Sequence, residues 1–119
     1  MSFDFKKYPV LSKLTLEDGS KLVVFSSFHS EEKQFPEILG REVFLLDKND
    51  DMIWQIGQTP KGIAREFDSS IGEFIDKPFD WHFSGLIERD GKILPVRFDG
   101  DVFELDMETG KATYVYWTK

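Results

Sequence analysis

At 119 residues the chain is long enough for one core and too short for two domains of ordinary size. Apolar residues make up 40% and charged residues 31%, with 12 Phe, 3 Trp and 3 Tyr, a balance that excludes disorder and supplies bulky core material. The 15 Lys and Arg against 22 Asp and Glu leave a net charge of −7, which repels phosphate backbones and anionic lipid and argues against nucleic acid or a membrane as a direct partner.

With no cysteine there is neither a disulfide framework nor a thiolate metal site. The opening Met1-Ser2-Phe3-Asp4-Phe5-Lys6-Lys7 has no apolar run of signal-peptide length, and no later stretch approaches membrane-span length. A cytoplasmic protein is the expectation.

The first predicted hairpin runs from Lys13 to Phe28, with Leu14 and Leu16 alternating before Asp18-Gly19 and Leu22-Val23-Val24-Phe25 following it. Asp-Gly between apolar runs predicts a type I′ turn, in which both central residues take positive φ. A polar connection from His29 to Gly40 follows, with Glu31, Glu32 and Glu37 around a lone Phe35. The second hairpin pairs Glu42–Asp47 with Met52–Gly57 across Lys48-Asn49-Asp50-Asp51.

Residues 58–82 form a bridge of a different kind. Thr59-Pro60 has the look of a helix start, and Ile63, Phe67, Ile71, Phe74 and Ile75 recur at helical spacing, so one short helix is expected near 60–68. An aromatic loop through Pro78, Phe79 and Trp81 leads out of it. Four further strands are predicted at Phe83–Arg89, Ile93–Phe98, Asp101–Asp106 and Ala112–Thr118, with turns at Asp90-Gly91 and Asp99-Gly100. Pro95, which cannot donate to a ladder, is expected at an edge or a bulge, beside a buried Leu94, Val96 and Phe98.

Val43-Phe44-Leu45-Leu46-Asp47 recurs as Val102-Phe103-Glu104-Leu105-Asp106, so the chain reads as one internally duplicated domain over 1–119, with copies at about 13–57 and 83–118. The expected fold is all-β: two four-stranded antiparallel meanders forming a sandwich or flattened barrel. Matching Val43 to Val102 takes an offset of 59 and matching Asp18 to Asp90 one of 72, which places 13 extra residues of the first copy in the His29–Gly40 connection. Period-two alternation sets Phe44 and Leu46 inward with Phe103 and Leu105, and leaves Val43 and Leu45 to a second covered face.

The stretch Ser84-Gly85-Leu86-Ile87 through Asp90-Gly91-Lys92-Ile93, with Gly100-Asp101-Val102-Phe103-Glu104-Leu105-Asp106-Met107-Glu108-Thr109-Gly110-Lys111, resembles one blade of a quinoprotein-type β-propeller. The resemblance covers about a third of the chain and implies a four-stranded meander. It implies no cofactor, because two units cannot close a propeller of about 4–8 blades.

Few residues point to chemistry. Asp47-Lys48-Asn49-Asp50-Asp51 spaces oxygen ligands like the start of a calcium loop, but Met52 and Gln58 stand where an EF-hand needs Gly and Glu. Asp99-Gly100-Asp101 reads as a turn by the same logic. His29 and His82 lack any metal spacing, and Ser26 and Ser27 near His29 lack a nucleophile-elbow setting. No catalytic residue, metal or cofactor is expected.

The leading functional expectation is a non-catalytic acidic protein-binding or inhibitory domain, similar in general character to immunity proteins that neutralise a basic toxin or nuclease. Its expected contacts are Glu31, Glu32, Phe35 and Glu37 in the first connection, with Asp50, Asp51 and Trp54 beside them. The alternatives are a small-ligand barrel or minor hydrolase with its pocket near Trp81 and His82, and a structural homodimer joined through the Val43/Leu45 strand.

Overall fold

Strand-forming runs separated by tight turns give 12 short strands among the described residues. The computed structural model describes residues 7–30 and 33–118, with the backbone alone at 28–30 and 33. In order these are β1 (Val10–Thr15), β2 (Lys21–Phe25), β3 (Phe28–Ser30), β4 (Lys33–Gln34), β5 (Val43–Leu46), β6 (Met52–Gln55), β7 (Gly62–Asp68), β8 (Glu73–Phe79), β9 (Phe83–Arg89), β10 (Lys92–Arg97), β11 (Asp101–Leu105) and β12 (Ala112–Trp117). Sheet one is the antiparallel meander β1-β2-β5-β6, and sheet two the antiparallel meander β9-β10-β11-β12. The pairs β3-β4 and β7-β8 stand apart as two-stranded ribbons. No helix among the described residues is long and apolar enough to cross a membrane.

Turn chemistry follows the sequence with one change. Asp90 (φ 53) and Gly91 (φ 76) both take the left-handed conformation of a two-residue hairpin turn. At Asp18-Gly19 only the glycine does so, with φ 88. There the Asp18 carboxylate is occupied otherwise, accepting from the Ser20 amide at 2.9 Å and from its hydroxyl at 2.5 Å, which holds the turn in an Asx arrangement.

The two sheets face each other as a sandwich. Leu22, Val24, Val43, Leu45, Trp54 and Ile56 meet Phe83, Phe103 and Leu105 in one buried cluster. Trp54 fastens the layers: its indole N–H donates to the Met107 carbonyl at 2.8 Å, and its ring lies so close to Gly110 that a Cβ there would sit 2.6 Å from it. A second cluster of Tyr8, Val23, Phe25, Ile38, Phe44 and Leu46 covers the other face of sheet one, roofed by the inserted connection. Burial on both sides is why the β5 sequence is apolar throughout.

The inward set of β5 is therefore Val43 and Leu45, and not Phe44 and Leu46 as the repeat implied. Along β5 Val43 and Leu45 alternate regularly with Phe44 and Leu46, whereas β11 turns Phe103 and Leu105 inward, so the aligned repeats present opposite faces to the shared core. Val43 and Leu45, expected at a homodimer seam, are both buried inside the chain's own core.

Pro95 also departs from expectation. It is fully buried on β10, between β9 and β11, and not at an edge. The β10–β11 ladder has the single partner pair Val96/Val102, an interruption that tolerates a residue without an N–H. Leu94 is buried on the outer face, in company with Arg89 stacked 5.3 Å from the Tyr116 ring and Lys92 bonded to Glu104 at 2.7 Å, whereas Phe98 is exposed.

The helix expected near 60–68 is a strand. A spacing of four suits a helix, yet it is also a multiple of two, so Ile63 and Phe67 share one face of β7 as readily as one side of a helix. Ser69-Ser70-Ile71-Gly72 makes the turn: the Asp68 carboxylate accepts from the Ser70 amide at 2.9 Å, and the Gly72 amide reaches the Asp68 carbonyl at 2.8 Å. The one helical turn among the described residues is the 3-10 turn Pro36–Ile38. The β7-β8 ribbon packs on no other strand to any extent. Its projection gives extents of 55 × 35 × 20 Å and a radius of gyration of 15.7 Å. A compact domain of this length would have a radius of about 13.5 Å.

Candidate functional site

The residues expected to form one acidic contact surface are dispersed. Glu31 and Glu32 lie outside the described residues. Phe35 is half-buried, edge-on to Tyr8 at 5.0 Å, and serves the second core cluster. Glu37 is exposed in the 3-10 turn, 3.8 Å from Lys7. Asp50 and Asp51 occupy the β5–β6 turn, at the opposite end of β5 from the inserted connection. Asp50 is bonded to Lys21, and that hydrogen bond holds its carboxyl below the ordinary range. Trp54 is a core residue, 7% exposed, so it cannot anchor a partner. Successive connections of a meander alternate between the two ends of the sheet, which separates what the sequence placed a strand apart.

The ribbon carries some of the most exposed large apolar side chains among the described residues. Register sets Ile63, Arg65 and Phe67 opposite Pro78, Asp76 and Phe74, all on one face. Ile63 is 64% exposed, Phe67 53% and Phe74 66%, and Ile71 at the tip is 57% exposed. Phe67 and Phe74 stack edge-on with centroids 5.2 Å apart, and Arg65 reaches Asp76 at 3.3 Å. On the other face Lys77 pairs with Glu66 at 3.1 Å. An isolated two-stranded hairpin is marginal in water, and cross-strand pairs of this kind contribute roughly 0.2–1 kcal/mol each. Asp68 and Glu73 at the tip enter no ion pair among the described residues, so the apolar end of the ribbon has an acidic rim.

The base of the ribbon is fixed by a buried cation that sequence reading passed over. Arg97, 3% exposed, uses all five of its donors. Its Nε and Nη2 grip Asp99 at 3.2 and 2.9 Å, Nη2 also reaches Asp101 at 2.8 Å, and Nη1 donates to the Thr59 hydroxyl at 3.2 Å and the Pro60 carbonyl at 2.5 Å. The guanidinium lies 5.0 Å from the Phe103 ring. Thr59-Pro60, read as a helix cap, is thus the clamp between ribbon and sheet two, and the Asp99/Asp101 pair holds Arg97. Gly62 fits the same junction, since a Cβ there would lie 2.5 Å from both Asp99 and Trp81. Trp81 donates to the Ile63 carbonyl at 3.1 Å and packs on Phe79 and Phe98.

Where the inserted connection meets this base, a cleft of about 290 Å³ opens between Pro36, Leu39 and Phe79, with Ser27, Gln34, Asp80 and His82 in its walls. His82 stacks on Phe98 at 4.8 Å, and burial pushes its imidazole below the ordinary value. Behind Ser27 lies Glu42, fully buried, whose Oε1 accepts from the Phe83 amide at 3.1 Å. Burial pushes the Glu42 carboxyl above its ordinary 4.5, and the nearby Ser27 hydroxyl and the Phe83 amide only ease that rise. Neither Ser27 Oγ nor Glu42 Oε2 completes a hydrogen bond of normal geometry among the described residues.

A carboxyl whose folded pKa is raised costs stability once the unfolded chain ionises. Stability is retained at acid pH and falls as pH climbs past 4.5, until the folded carboxyl has lost its proton too. Glu42→Gln is therefore expected to match the native chain in thermal stability near pH 3.5 and to exceed it at neutral pH. A gap that stays constant with pH, or reverses, contradicts the strained carboxyl.

Among the described residues, no cluster of three or more His, Asp or Glu could hold a metal ion. Asp47 caps its own turn, accepting from the Asn49 and Asp51 amides at 2.8 and 3.0 Å. Ser27 and His82 share a cleft wall, yet no hydrogen bond joins them. No family model, curated protein or solved structure matches the chain.

Proposed function

We propose that the chain is a non-catalytic acidic recognition domain that binds a basic protein, as an inhibitor or immunity-type protein does, and that the β7-β8 ribbon is its contact element. The observation that carries this reading is the exposed face of Ile63, Phe67 and Phe74 on a ribbon that neither sheet covers. Apolar groups clustered on a projecting element are a recurrent sign of an interaction site. The acidic tip at Asp68 and Glu73 and the net charge of −7 favour a partner with an apolar cleft inside a basic rim. The cytoplasm is the compartment this reading assumes.

The test is capture from the native cell with the intact chain as bait, followed by association kinetics across a salt series. A basic partner whose association rate falls steeply with ionic strength is the expected result. A captured protein that is acidic, or whose association ignores salt, sinks the reading.

A further inference from the structure

We infer that the cleft between the inserted connection and the ribbon base binds an organic cation, an ammonium or guanidinium head carried on a short apolar stem. The walls divide the work. Pro36, Leu39 and Phe79 offer apolar surface for a stem, and an aromatic face attracts a cation electrostatically. Among the described residues, the polar groups on the walls are Ser27, Gln34, Asp80 and His82, with no Lys or Arg. His82, depressed by burial, is neutral at pH 7 and accepts at one ring nitrogen without repelling a cation.

The second observation is the unfinished hydrogen bonding beneath. Ser27 is 5% exposed, and its hydroxyl faces the buried carboxyl of Glu42 without completing a hydrogen bond of normal geometry among the described residues. An ammonium or guanidinium in the cleft can donate to Ser27 Oγ, leaving the hydroxyl proton directed at Glu42. Asp80 provides the counter-charge at the mouth, where it already draws Lys61 to 3.7 Å in an exposed and weak pair that a ligand can displace. An anion would meet the Asp80 carboxylate with no cation among the described residues of the walls, and a neutral apolar ligand would offer Ser27 no donor. The volume is at the low end for a ligand site, so it suits a single ring or a short chain and excludes larger cations. This site goes beyond the ribbon reading and does not need the ribbon's partner.

Amide shifts of the isotope-labelled full chain, titrated at constant ionic strength, test the assignment. The probes are phenethylammonium, n-butylguanidinium and, as the anionic counterpart, phenylacetate. Both cations are expected to move the Ser27, Leu39, Phe79 and His82 amides, with phenylacetate leaving them in place. Tighter binding of butylguanidinium identifies an arginine side chain as the natural source, and tighter binding of phenethylammonium a free aromatic amine. Asp80→Asn, a change at an exposed carboxylate, is expected to weaken the cation by about fivefold or more with the thermal midpoint unchanged, and Ser27→Ala to weaken it similarly. Equal shifts with phenylacetate, no cleft shifts with either cation, or full affinity in both variants overturns the site.

Discussion

Replacing Arg97 by leucine is expected to destabilise the chain by about 3–5 kcal/mol, because it removes one partner from a buried ionic cluster and leaves the others without compensation. Leucine fills part of the volume and supplies no donor. The Asp99 and Asp101 carboxylates, with side chains 15% and 26% exposed, would face each other without their cation, and the Thr59 hydroxyl and Pro60 carbonyl would lose theirs. Urea denaturation followed by tryptophan fluorescence reads the loss as a fall of roughly 2 M in midpoint. Hydrogen exchange locates it, since the Gly62–Asp68 amides should open before those of β2 and β5. Arg97→Lys keeps the charge but has three donors for five acceptor contacts, so an intermediate loss is expected. A leucine variant within about 1 kcal/mol of the native chain would show that the clamp is dispensable.

How far the sequence reached differs from element to element. The meanders were legible because their strands alternate and their turns carry Asp-Gly, chemistry that acts over two or three residues. Face assignment on β5 was not, because both faces are apolar and only the tertiary cover distinguishes Val43 and Leu45 from Phe44 and Leu46. The bridge failed for a related reason: Ile63 and Phe67, four apart, satisfy two periods at once, and Ser69-Ser70 and Gly72, inside the same spacing, form a turn. Arg97 gave no local sign at all. Its partners come from its own turn and from a segment 37 and 38 residues away in sequence, so only the folded chain brings them together. Trp54 illustrates the opposite error, an aromatic that composition allows at an interface and that the Gly110 turn claims for the core.

Phe67→Ser combined with Phe74→Ser should abolish most partner binding, by about 100-fold or more, if the ribbon supplies the contact, since buried aromatic anchors commonly contribute 2 kcal/mol or more each at an interface. The same pair of changes should cost the isolated chain little. Both rings are more than half exposed, and what they contribute before binding is mainly their mutual contact, worth roughly 0.5–1.5 kcal/mol. The large loss in affinity and the small loss in stability are what separate a docking surface from a core. A control at the far end of β5, Asp50→Asn with Asp51→Asn, removes two charges from the turn remote from the inserted connection and should slow association modestly while leaving dissociation unchanged. If the serine pair left affinity intact while the asparagine pair destroyed it, recognition would belong to the acidic turns and the ribbon would have no part in it. The physical case against that outcome is the pairing of Asp50 with Lys21, which partly neutralises that turn, while Asp68 and Glu73 leave the ribbon tip charged beside its exposed rings.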